Sequence, residues 1–85
     1  MQYIKAYVAV TVFVDEQGQT TPLSVFYDGR QYVIDKIKAK RKAPPLHVGG
    51  LITTRYDCLI RGKERALYQE ITGRWFVEIM QIQND

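Results

Sequence analysis

Leu23-Ser24-Val25-Phe26-Tyr27-Asp28-Gly29-Arg30-Gln31-Tyr32-Val33-Ile34 is the stretch that decides the fold. Leu23, Val25 and Tyr27 alternate with Ser24 and Phe26, and a second run rich in β-branched and aromatic residues follows Asp28-Gly29. Asp-Gly between two such runs is the strongest short-range hairpin signal, because both central residues of a type I′ turn need positive φ. The same period of two extends on both sides. In Tyr3 to Val14 the even positions Ile4, Ala6, Val8, Val10, Val12 and Val14 are all apolar, as expected of a long strand with one buried face.

Downstream, strands are expected over Arg30–Arg41, Leu51–Arg61, Arg65–Ile71 and Arg74–Gln83. Gly62-Lys63-Glu64 and Thr72-Gly73 supply the turns. Pro22 lacks an N–H and belongs at a strand start or edge. In the third strand a bulge near Asp35-Lys36 would put Tyr32, Ile34 and Ile37 on one face and keep the acid out of the core. Ala43-Pro44-Pro45 ends that strand and Gly49-Gly50 ends the loop after it, where the sheet turns a corner. No window carries a convincing 3.6-residue stripe. The expectation is an all-β, single antiparallel meander of five to six strands closing into a small half-open barrel, with residues 1–85 as one domain. Trp75, Val77, Ile79, Val8, Val10, Val12, Val25, Ile34 and Ile60 are its expected core.

Size and composition agree. With 85 residues and 46% hydrophobic content the chain is an ordinary small folding unit. The single cysteine, Cys58, excludes an internal disulfide framework and points to a reducing, cytoplasmic setting. The longest apolar run, Tyr7 to Val14, is far short of a membrane helix, so no membrane partner is expected, and the N-terminus does not read as a signal peptide.

Two segments carry a resemblance. Pro22-x-x-Val25-x-Tyr27-x-Gly29-Arg30-x-Tyr32-x-Ile34-x-x-Ile37, then Tyr68 and Trp75-x-Val77, resemble a family of small bacterial all-β proteins of unknown activity. That family shares an aromatic, a Gly-Arg turn, a Tyr-x-Val and a closing Trp-x-Leu. The resemblance implies an SH3-like small barrel and brings no catalytic residue with it.

Chemistry is sparse. His47 is the only histidine and sits in a loop, while Cys58 shares a strand face with Ile60 and reads as a buried, inert thiol. With Ser24 as the lone serine and no glycine-rich loop opening a helix, neither a serine hydrolase nor a P-loop enzyme is expected. The expectation is a binding module, not an enzyme, with no cofactor and no metal.

Charge is the one uneven feature. Nine basic residues against Asp57 and Glu64 give +7 between Lys36 and Arg65; the remainder is −4, for a total of +3. Lys36, Lys38 and Lys40 recur at period two and would line one strand face. Together with Arg41, Lys42, Arg61, Lys63 and Arg65 they form a candidate nucleic-acid-binding patch. The competing reading is a lysine-protected strand edge. Tyr3, Tyr7 and Phe13, on the other face of the first strand, are a candidate interface for a protein partner or a second copy.

Overall fold

The computed structural model describes residues 2–82. Among them there is no helix, and none long and apolar enough to cross a membrane. Seven antiparallel strands form one curled half-barrel: β1 (Gln2–Val14), β2 (Thr20–Tyr27), β3 (Arg30–Val33), β4 (Lys36–Ala43), β5 (Thr53–Ile60), β6 (Lys63–Gln69) and β7 (Trp75–Gln81). The spatial order is β3-β2-β1-β7-β6-β5-β4. Gln83, the expected end of the last strand, lies outside the described residues.

The count is seven, not five to six, because the third expected strand is two. At its midpoint the chain passes from one edge of the sheet to the other: the Ile34 N–H donates to the Leu23 carbonyl on β2 (2.9 Å), and the next N–H, of Asp35, donates to Leu59 on β5 (2.8 Å). That switch curls the sheet and turns Tyr32, Ile34 and Ile37 to the same, inner side, leaving Asp35 exposed. β1 is shared in the same way, pairing with β7 from Gln2 to Val8 and with β2 from Ala9 to Val14. Its 13 residues span about 44 Å at 3.4 Å each, which accounts for the longest dimension of the molecule, 51 Å.

Asp28 (φ 51°) and Gly29 (φ 75°) take the positive values that the hairpin reading requires. The β5–β6 turn is shifted from its expected place. Arg61 (φ 53°) and Gly62 (φ 73°) are its central residues and β6 begins at Lys63. A non-glycine residue in this region is disfavoured, and here two contacts hold it: the Arg61 N–H donates to Asp35 Oδ2 (2.8 Å), and its guanidinium lies 5.1 Å over the Tyr32 ring.

The core consists of Val25, Tyr56, Cys58, Leu67 and Trp75, with Val8, Val10, Ile34, Ile37, Ile60 and Val77 packed against it. Val12, expected inside, is 40% exposed; it pairs with Pro22 where the β1–β2 register shifts, near the sheet's outer end. Tyr56, Leu67 and Cys58 take up the interior instead. A second layer lies outside the sheet: Tyr68 and Phe76 are fully buried and stacked at 5.1 Å, and loop 44–52 crosses them.

Burial pushes the Cys58 thiol up to about 11 from an ordinary 9.0. A raised value means that the folded state holds this proton more tightly, so its contribution is complete below pH 9 and disappears as pH rises towards 11. Two units correspond to about 3 kcal/mol. Urea unfolding between pH 8.5 and 11 should therefore show a loss that is larger, by that order, in the parent than in Cys58→Ala, since the buried Tyr68 phenol contributes to both; equal losses in both proteins would place the thiolate in water.

Candidate binding cleft and basic face

β6 and β7 are joined by a short turn and begin as a hairpin, with Tyr68 opposite Phe76 and Gln69 opposite Trp75. There the pairing stops. Continued in register it would match Leu67 with Val77, Ala66 with Glu78, Arg65 with Ile79, Glu64 with Met80 and Lys63 with Gln81, and none of these pairs forms. The strands splay, and a cavity of about 510 Å³ opens between them. Its walls include residues from both faces of the sheet, Leu67, Val77 and Ile79 from the inner face and Ala66 and Glu78 from the outer, so the opening passes through the wall of the barrel. Val25, Tyr27, Tyr32 and Ile60 form its inner floor.

Loop 44–52 borders the outer mouth. One carboxylate secures it: Glu78 Oε2 accepts the N–H groups of His47 (2.5 Å) and Val48 (2.6 Å), while Oε1 accepts the Tyr68 hydroxyl (3.0 Å). The Tyr68 oxygen in turn accepts the Leu46 N–H at 3.1 Å. Desolvation raises the Tyr68 pKa, and the bond to Glu78 raises it further, so the phenol stays a donor. His47 stacks on Tyr3, with centroids 3.7 Å apart and planes 5° apart. This places His47 outside the barrel, whereas Cys58 is in the core.

The three candidate interface aromatics separate. Tyr3 is under the loop, and Tyr7 donates to Glu70 (2.9 Å) beneath the Arg74 guanidinium, 3.5 Å from its ring. Lys5 pairs with the same Glu70 (2.9 Å); that bond raises the lysine's pKa and lowers the carboxylate's. Phe13 is 58% exposed.

The eight candidate phosphate-binding residues are all exposed, but the expected single row does not exist. Register shifts between Ile37 and Ala39, so Lys38 occupies a bulge. Lys36, opposite Leu59, faces outward; Lys40, opposite Tyr56, faces inward with its ammonium 5.4 Å over the Tyr56 ring. Lys42 donates to Thr54 Oγ1 (2.6 Å) on that inner side. On the outer face Lys38 pairs with Glu64, and Arg41 reaches Asp57 Oδ2 (2.6 Å). Arg61 covers Tyr32, Arg65 Nη1 donates to the Glu64 carbonyl (3.1 Å), and Lys63 occupies the start of β6 beside the cleft.

Sequence reasoning left Arg55 out of this group and assigned no role to Glu78. Arg55 Nε donates to Asp57 Oδ1 (2.8 Å) from two residues away on the same strand face, a spacing visible in the sequence. Glu78 had no such local signal, since its partners are about 30 residues away in a loop.

The fold and the site thus define a small all-β barrel whose wall is interrupted between two consecutive strands. Compared with protein-family models, curated proteins and solved structures, the chain matches none.

Proposed function

We propose that this chain is a non-enzymatic protein-interaction module, an SH3-like small barrel that takes an extended segment of a partner polypeptide into the cleft between β6 and β7. The observation that carries this reading is the five missing strand pairs across an apolar cavity. Backbone N–H and C=O groups along two facing strand edges are a template for a further strand, and alternate side-chain positions supply selectivity. A strand inserted between antiparallel walls runs antiparallel to one and parallel to the other. The apolar floor receives every second side chain of the guest. The alternative, nucleic-acid binding through one continuous basic face from Lys36 to Arg65, has less support, because those residues divide between the two faces of the sheet. The lone buried Cys58 suits the reducing cytoplasm in which we place the module.

Hydrogen exchange tests the premise before a partner is known. At micromolar concentration the cleft-facing amides of 63–67 and 77–81 should exchange far faster than those of β5, and slow exchange there would end the proposal. Panning a random peptide library should then enrich extended sequences with alternating apolar residues. Ile79→Glu, in the cleft wall, should abolish capture, while Ile71→Glu, at a site 98% exposed, leaves it unchanged. Protection that appears only as the protein is concentrated would identify a second copy as the guest.

A further inference from the structure

On the outer face of β4, β5 and β6 the cross-strand row Ala39–Asp57–Ala66 has two methyl groups where its neighbours carry long side chains. The result is a trough of about 450 Å³. One end is the Arg41–Arg55 row, the other the Lys38–Glu64 pair. Four strand residues, or about 13 Å, separate the two ends.

Asp57 holds the arginine end in place. Its two oxygens accept one guanidinium each, from Arg55 Nε (2.8 Å) and Arg41 Nη2 (2.6 Å). Burial alone would raise this carboxyl, but the two arginine hydrogen bonds outweigh it and keep it below the usual range, so the brace stays charged. A guanidinium carries five N–H donors, and each arginine uses one here. The other four on each make no further hydrogen bond among the described residues. Counting charges, Arg41 and Arg55 against Asp57 leave +1 at one end, while Lys38 and Glu64 balance each other at the other. Pre-oriented arginines with spare donors, beside a floor too small to block approach, are suited to phosphate oxygens. The trough runs on from the arginine end and has room for the backbone that continues from an anchored phosphate, room that one compact anion would leave unused.

We propose that this trough is a phosphate-binding site that takes successive phosphates of a single-stranded nucleic-acid backbone. It lies on a different surface from the strand-accepting cleft and does not depend on it. No base-stacking surface lines it, so binding is independent of sequence and steeply salt-dependent.

Fluorescence anisotropy with a labelled oligothymidylate at about 50 mM salt tests this, with inorganic phosphate and pyrophosphate as competitors. Arg41→Gln, at a side chain 58% exposed, should weaken binding about tenfold and lower the salt slope by about one. Ala39→Leu changes no charge but fills the floor, and should weaken binding by a similar factor. Lys42→Gln, on the inner face, should change it less than about twofold. Thermal melts establish that each variant is folded. Full-strength binding by Ala39→Leu, or equal losses for Lys42→Gln and Arg41→Gln, would mean diffuse attraction to net charge and overturn the site. Absence of oligonucleotide binding would overturn it as well, including the case in which inorganic phosphate or pyrophosphate alone is bound.

Discussion

Trp75→Ala should leave the domain unfolded or marginal at 25 °C, with a loss of about 3 to 5 kcal/mol from a total stability on the order of 4 to 13 kcal/mol for a chain of this size. Trp75 is 8% exposed, its ring is 5.4 Å from that of Tyr56, and it belongs to the central core cluster. It is also the residue opposite Gln69 in one of only two pairs joining β6 to β7, and it faces Val8 across the β1–β7 ladder. Truncation therefore opens a cavity where the cleft already leaves the wall weak, and little neighbouring structure can collapse into it. Because the variant lacks the only tryptophan, far-UV circular dichroism during urea titration is the suitable measurement. A midpoint within about 0.3 M urea of the parent would correspond to less than 1 kcal/mol and would contradict this account of the core.

Glu78→Ala should cost about 2 to 3 kcal/mol and lower the melting temperature on the order of 10 to 20 °C. One carboxylate accepts the His47 and Val48 N–H groups and the Tyr68 hydroxyl, and the Tyr68 oxygen accepts the Leu46 N–H. Removing it leaves three donors without an acceptor at the foot of loop 44–52. Hydrogen bonds to a charged group are worth about 1.5 to 3 kcal/mol each. Glu78 is only half-buried, however, and water will satisfy part of what is lost, so the total stays below the sum. Glu78→Gln, which keeps an acceptor oxygen but loses the charge, should lose about half as much. Amide exchange at His47 and Val48 should accelerate in both variants while the β5 amides remain protected; unchanged exchange would show that the loop is held by apolar contacts alone.

The parts of the fold legible in the sequence are those fixed by neighbours in the chain. Asp28-Gly29 specified its turn because few dipeptides tolerate two positive φ values, and the alternation from Ile4 to Val10 specified which face of β1 turns inward. Cys58 read correctly as buried because its own strand alternates. Legibility failed wherever the period of two was broken without a local marker. The bulge at Lys38 carries neither glycine nor proline, so three lysines that appeared to share a face do not. Of the candidate sites, the basic segment was visible as a charge excess, but its division between two faces was not.

By itself, then, the sequence determined an all-β chain, the position of the Asp28-Gly29 hairpin, and the polarity of most strand faces, because these follow from backbone sterics and from apolar groups one or two residues apart. Tertiary structure alone decided that one strand divides at Ile34-Asp35 between two edges, that β6 and β7 part after two pairs, and that Glu78 holds a loop about 30 residues away. Each is an encounter between segments distant in the chain. Its free energy depends on hydrogen-bond partners and packing that exist only once the sheet has curled, and no local pattern of residues encodes it.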